Sequence, residues 1–213
     1  MTQPYACFAT FPWSGGLDSK IRFLKSRRSN SFISLTRDRD SGRVTREPRT
    51  GGPRIEYTAS DFDREHTLEG VQALAKICYV SGATEIQPHL PGLEPFLKSP
   101  DQQGEPDSDD TQGRVKDPEF SDPAFGAWLK KVRQVGNRAP LAMWTSAHQM
   151  GTCRMGASED EGVVDGRGRV WGREGLYVAD ASVFPSASGV NPMITVMAIS
   201  DWISRGIVDE LRA

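Results

Sequence analysis

The chain has 213 residues, of which 37% are hydrophobic and 25% charged, and its formal net charge is −2 at pH 7. So even a balance excludes a general attraction to nucleic acid or to an anionic membrane, while a chain of this size can bury about 70% of its unfolded surface. The mean hydropathy of −0.49 points to much loop and surface, or to a body that packs against more chain.

Three cysteines, Cys7, Cys78 and Cys153, are odd in number and far apart. They show no metal-ligand spacing and speak against a disulfide framework, so a reduced intracellular setting is expected. Residues 1–10 lack the charged and apolar regions of a signal peptide. No run approaches the roughly 18 apolar residues of a membrane span. Charge is uneven: residues 20–54 carry eleven Lys/Arg against Asp38, Asp40 and Glu47, and residues 101–122 carry eight acids against Arg114 and Lys116. Both stretches read as solvated surface, and the basic one lacks the aromatics and fold signature of a nucleic-acid module.

In chain order, residues 1–31 read as an irregular lead-in with one short helix. Residues 32–36 (FISLT) and 54–58 (RIEYT) read as strands, with the Gly/Pro-rich EPRTGGP between them. Residues 60–81 predict a helix: Ser60 and Asp63 form a capping box with Asp in place of the usual Glu or Gln, and Gly82 is the stop. Its apolar stripe is Leu68, Val71, Leu74, Ala75, Ile77 and Cys78. Residues 87–123 form a loop rich in Pro, Gly and acids. A second helix runs from Pro123 to Gly136, with Phe125, Trp128, Leu129 and Val132 on one face. Residues 141–147 and 176–179 read as strands. The last helix has Asn191 at the cap and Pro192 at the first helical position, and its apolar early turns predict a buried end.

Two residues carry chemistry. Removing the proton of an alcohol needs an acceptor whose pKa lies near neutrality, which suits His148. A neutral amide such as Asn191 can hold the same oxygen and fix its orientation. Taken singly, His148 reads as a structural histidine and Asn191 as a helix cap; the catalytic reading comes only from the ordered set of motifs around them. His66 and His89 read as structural or surface residues, Cys153 as a small buried residue rather than a nucleophile, and Trp171 and Tyr177 as core packing.

The motifs come in a fixed order: H-x-x-G-T-x-x-M-G at 148–156, Val164-Asp165, LYVADASVFP at 176–185 and GVNP at 189–192. This set resembles the C-terminal signature of the glucose-methanol-choline (GMC) flavin oxidoreductases. FISLTRDRDSGRV and the RIEYTASDFDREHTLEG stretch look like the fungal and plant long-chain fatty alcohol oxidases, and the resemblance covers residues 12–212. The family often has Pro after the histidine, where this chain has Gln149.

The resemblance implies an α+β and α/β chain. Residues 32–144 would be a substrate-domain segment with an antiparallel sheet and helices, and residues 145–213 the C-terminal segment of a Rossmann-like FAD-binding domain. It implies oxidation of long-chain primary alcohols to aldehydes with oxygen as acceptor, with His148 and Asn191 as catalytic residues. Asp180, Ala181, Asn191, Pro192 and Met193 would contact FAD, with the Met193 N–H facing the flavin C2 oxygen. The positive end of the last helix would favour the anionic side of a reduced flavin by roughly 0.3–2 kcal/mol.

The phosphate-binding G-x-G-x-x-G turn of such a domain is not in the sequence: Gly166 and Gly168 lack a third partner, and Gly15-Gly16 follows no strand. Three readings stay open. The chain is a fragment of an oxidase, one half of an enzyme completed by a separate flavin-binding chain, or a non-enzymatic remnant that acts as a binding module. A membrane or peroxisomal location would belong to the full-length protein.

Overall fold

The structure, a computed structural model, describes Trp13, residues 15–99 and residues 117–212. Most of the acidic loop, residues 100–116, lies outside them, as does Cys7. The described chain is built of helices and small antiparallel sheets, and it divides into two compact units. One comprises Met1–Ser34 and Arg64–Trp144, the other Leu35–Asp63 and Thr145–Ala213.

The first unit is organised by aromatic packing. Helix α1 (Gly16–Lys25) is followed by a 3-10 turn, Ser26–Arg28. Helix α2 (Asp61–Val80) closes as predicted: Gly82 N–H donates to the Tyr79 C=O at 3.1 Å and Ala83 N–H to the Cys78 C=O at 3.0 Å. This is the paired hydrogen-bond pattern of a glycine-stopped helix. A two-residue pair follows, β3 (Glu85–Ile86) with β4 (Phe96–Leu97), antiparallel. Helix α3 (Pro118–Ser121) is a single turn inside the stretch expected to be loop, capped by the Asp117 carboxylate on the Glu119 N–H.

Helix α4 (Pro123–Val135) starts where the sequence placed it, with Pro123 at its first position. One Asp122 oxygen accepts from the Ala124 and Phe125 N–H groups, and the other accepts the Tyr79 hydroxyl at 2.9 Å. One carboxylate thus caps α4 and fixes it against α2. The expected stripe of Phe125, Trp128, Leu129 and Val132 is buried. The Phe125 ring lies 4.5 Å from Tyr79, 5.0 Å from Phe96 and 5.7 Å from Trp128, centroid to centroid, within the range where aromatic pairs add to plain burial.

In the second unit, β1 (Arg43–Arg46) pairs antiparallel with β2 (Pro53–Glu56) across the turn at Glu47 and Gly52. The first strand is therefore not residues 32–36, which form no ladder. That run has strand-like composition, but Phe32, Ile33 and Leu35 stay exposed. Hairpin pairing is set by the chain reversal, and the reversal at Glu47 and Gly52 selects the residues flanking it. Residues 141–147 are likewise no strand; Ala142 N–H turns back to the Arg138 C=O at 3.0 Å. No helix among the described residues is long and apolar enough to cross a membrane.

The capping box at the start of α2 is formed, with one difference. Asp63 N–H donates to Ser60 Oγ at 3.1 Å and Ser60 Oγ–H donates to the Asp63 carboxylate at 2.7 Å. The other Asp63 oxygen takes the Arg39 N–H at 3.0 Å, a link that sequence spacing does not reveal. Asp63 is only 1% exposed. Burial pushes its carboxyl up, but the Arg39 N–H, the Ser60 hydroxyl and the Asp40 N–H together hold it below the usual value.

Replacing Phe125 by Ala opens a cavity among the three rings of Tyr79, Phe96 and Trp128, and urea denaturation is expected to show a loss of about 3–5 kcal/mol. A loss under 1 kcal/mol would contradict the aromatic core. For Asp63 the depressed folded pKa sets the sign: its contribution is complete above the unfolded carboxyl value and disappears as pH falls through the folded one. Acid titration of stability should therefore show a fall below about pH 4 that is smaller in Asp63→Ala, itself roughly 2–3 kcal/mol less stable at neutral pH.

Candidate active site

Every sequence-predicted site residue lies in the second unit, on three neighbouring segments. The first runs from His148 to Met155. Its backbone N–H groups at Gly151, Cys153 and Met155 donate to the C=O groups of Ala181, Ser182 and Val183, at 3.1, 2.9 and 2.9 Å. The second segment is the 3-10 turn Ala181–Val183, capped by Asp180. The third is helix α5 (Met193–Arg212), whose Ser200 hydroxyl donates to the Ala179 C=O. The stretch holding Asp180 and Ala181 is thus hydrogen-bonded to the His148 segment and to the Asn191 helix.

A shared core reinforces this arrangement. Val164, Val183, Phe184 and Ile203 are buried, with Met150, Met155, Val178, Ala179, Val196 and Ile199 packed on them. Met150 is two residues beyond His148, and Val196 is five beyond Asn191, so both approaches to the site rest on one apolar cluster. Between them the chain from 163 to 178 folds back on itself in short backbone-bonded pairs. Val170 N–H donates to the Leu176 C=O and Val178 N–H to the Gly168 C=O. The expected strand at residues 176–179 is reduced to a single antiparallel bridge between Arg169 and Tyr177. Gly168 has φ +76°, and a Cβ there would sit 2.6 Å from the Val178 oxygen and 2.7 Å from Ile203 Cδ1. The tight return needs a residue without a side chain. Tyr177 packs against the cluster, as expected, and its hydroxyl meets Glu210, which also takes Arg169.

The individual residues divide into occupied and open groups. Asp180 is occupied: its carboxylate accepts the Ser182 hydroxyl and N–H, and these bonds hold its carboxyl below the usual value. His148 is half-buried and Asn191 exposed, and among the described residues neither side chain has a hydrogen-bond partner. Gln149 folds back, donating to the Ser146 C=O at 2.9 Å, so the backbone bends around His148. Cys78 and Cys153 are free thiols.

Helix α5 departs from expectation twice. Its first turn closes Val196 N–H onto the Pro192 C=O at 2.8 Å. Pro192 thus holds the cap and Asn191 the position before it, one residue later than the sequence spacing implied. The early turns are also not buried: Met193 is 66% and Ile194 69% exposed, and Met197 and Trp202 are exposed as well. Pro192 is buried, but only the Val196–Ile199–Ile203–Ile207 side of the helix meets the cluster. Apolarity on most faces predicted burial on most faces, whereas the unit covers one stripe.

The donor set at this end suits the oxygen-rich, partly anionic side of a flavin. The first-turn N–H groups of α5 have no acid among them, and the helix end carries partial positive charge. The sequence holds no G-x-G-x-x-G run.

Residues 38–200 match the family described as GMC oxidoreductase, in its C-terminal domain. A long-chain-alcohol oxidase of Arabidopsis thaliana, FAO3, is 35% identical over 204 residues, covering 94% of this chain and 24% of the relative. A second, FAO1, is 34% identical over 208 residues, covering 96% and 24%. A cholesterol oxidase of Acinetobacter baumannii is 36% identical over 87 residues, covering 37% and 16%. The chain thus spans about a quarter of the length of the long-chain-alcohol oxidases it matches.

Two outcomes test this geometry. Ser182→Ala should move the Asp180 carboxyl up toward the ordinary aspartate value in a carbon-detected NMR titration, because it removes the hydroxyl donor; an unmoved titration would mean that the Ser182 hydroxyl bond is not formed. Gly168→Ala should cost at least about 2 kcal/mol in thermal or chemical unfolding, through strain at positive φ and collision with the Val178 oxygen. With 77% of its length, by residue numbers 38–200 of 213, inside the family match, the chain belongs to the GMC oxidoreductases, a family of FAD-dependent enzymes.

Proposed function

We propose that this chain is the C-terminal portion of an FAD-dependent oxidase of long-chain primary alcohols, working with a flavin-binding portion that these 213 residues do not contain. The observation that carries the reading is the hydrogen-bonded layering of the His148 segment, the Asp180–Val183 turn and helix α5. Residues 179–183 are bonded both to the segment that follows His148 and to the helix that follows Asn191, which supports a shared site. The likeness to long-chain-alcohol oxidases supplies the substrate class. The exposed apolar face of α5 supports a partner portion, since large apolar patches mark interfaces.

In this reading the half-buried His148 ring accepts the alcohol's hydroxyl proton on a ring nitrogen, the imidazole being the side chain used most often as a general base. Asn191 donates from its amide to the same oxygen and fixes the direction of the carbinol C–H bond. FAD, when bound, supplies the acceptor for the hydride. The N–H groups of Met193 and its neighbours favour negative charge at the helix end. Asp180 shapes the backbone around Ala181 through its cap on Ser182. Oxygen as the final electron acceptor, and an intracellular, peroxisomal or membrane-associated setting, belong to the same reading.

The test has two parts. The purified chain is mixed with FAD, desalted and examined for a visible flavin band. A retained band would place cofactor affinity in this chain; a colourless protein would place it in the proposed partner portion, and addition of that portion should then generate the band. In the assembled enzyme His148→Ala should lower turnover on a long-chain alcohol by a factor of about 10² to 10⁴ with flavin retained. Unchanged turnover would sink the assignment of the base.

A further inference from the structure

We propose that Arg37, far from the catalytic motifs in sequence, is the positioning residue for Asn191; the inference rests on the role just proposed for that amide. The Arg37 guanidinium bridges two points on the loop leading to Asn191. Its Nε donates to the Ala187 C=O at 3.0 Å, and Nη2 donates to Ser186 Oγ at 3.2 Å. The stem of the same side chain fills the other side: a Cβ on Gly189 would lie 2.9 Å from Arg37 Cβ. Gly189 has φ +68°, so the loop turns in a conformation open to glycine and is pressed against the arginine as it does so.

A clamp positions a loop only if the clamp is itself fixed. Two residues after Arg37, the Arg39 N–H is held by the buried Asp63 carboxylate, which the Ser60 hydroxyl holds in turn. Between them the Asp38 carboxylate accepts the Tyr57 hydroxyl at 3.0 Å. The Arg39 guanidinium lies 4.3 Å from the centre of the Phe62 ring. Residues 38 and 39, next to Arg37, are therefore tied to the end of the β1–β2 hairpin and to the start of α2. Ser186 to Gly189 take their position from that support, and Asn191 follows two residues later. An arginine suits the task better than a lysine, because its planar fork reaches two acceptors in fixed directions whereas an ammonium is a single point.

The test uses the 213-residue chain and does not depend on turnover. In isotope-labelled protein, Arg37→Ala should lower the backbone order of residues 186–191 and shift the Asn191 side-chain amide resonances, leaving the Val164–Ile203 cluster unchanged. Free guanidinium at sub-denaturing concentration should restore the wild-type signals and ethylammonium should not. Arg205→Ala, which removes an exposed arginine paired with Asp201 on α5, serves as the control and should leave the loop unaltered. Unchanged order at 186–191 in Arg37→Ala, or no recovery with guanidinium, would overturn the proposal. If Arg37→Ala does not fold, Ser186→Ala removes one acceptor only. It should produce a smaller change confined to the same loop, and no change there would overturn the proposal equally. A failed His148→Ala result would remove the proposed chemistry but leave these loop signals as they are, so the two failures are distinguishable.

Discussion

The second unit depends on three backbone hydrogen bonds, from Gly151, Cys153 and Met155 onto Ala181, Ser182 and Val183. This region has almost no regular secondary structure, yet its backbone donors and acceptors cannot be left unpaired where they are buried. The three bonds answer that demand with an extended stretch laid against a 3-10 turn. The apolar cluster of that unit is reached outward from them. Val183 and Phe184 enter the apolar cluster, the cluster receives α5 through Ile203, and Ser200 returns a hydrogen bond to Ala179. The two approaches to the site are consequently not independent; disturbing the turn displaces both.

The two units use apolar surface differently. In the first, helix α4 spends its whole apolar stripe on Phe125, Trp128, Leu129 and Val132, all buried, and Asp122 fastens it to Tyr79. In the second, α5 buries one stripe and leaves Met193, Ile194, Met197 and Trp202 in solvent. Helix α5 is the more apolar of the two and the less covered. Burial of apolar area drives folding at about 25 cal/mol per Å², so an exposed face of this kind represents stabilisation that further contacts can still supply. The proposed flavin-binding portion is the partner to which the functional reading assigns them.

Local signals were legible in the sequence where a single residue type fixes a backbone event. Ser60 and Asp63, Gly82, Asp122 with Pro123, and the Phe125 stripe all lie where capping and periodicity put them, because those rules act within one or two turns. Strands were misread where composition stood in for pairing. FISLT, residues 141–147 and LYVA all have the right residues, but a strand exists only by its partner, and the partner is decided by turns elsewhere. The motifs that nominate His148 and Asn191 as candidates were legible as an ordered set; what holds the segments around them was not. The bonds to Ala181–Val183 join main-chain atoms, which carry no residue signature, and Arg37 meets its loop across some 150 positions from a stretch that reads only as basic surface.

The one-residue shift at the start of α5 matters chemically. An asparagine at the cap itself would turn its side-chain oxygen onto the N–H groups of the first turn and spend it there. With Pro192 in that place, the helix begins on a carbonyl whose own residue has no N–H to satisfy. The Asn191 amide is then not consumed by the helix it precedes, and the first-turn N–H groups keep their need for an acceptor. Asp180, by contrast, commits one carboxylate oxygen to the Ser182 hydroxyl and N–H. First-turn donors left open form an end that favours electron-rich oxygen. Those donors, with an amide the helix does not consume, support the proposed pairing of a proton-accepting His148 with an oxygen-holding Asn191.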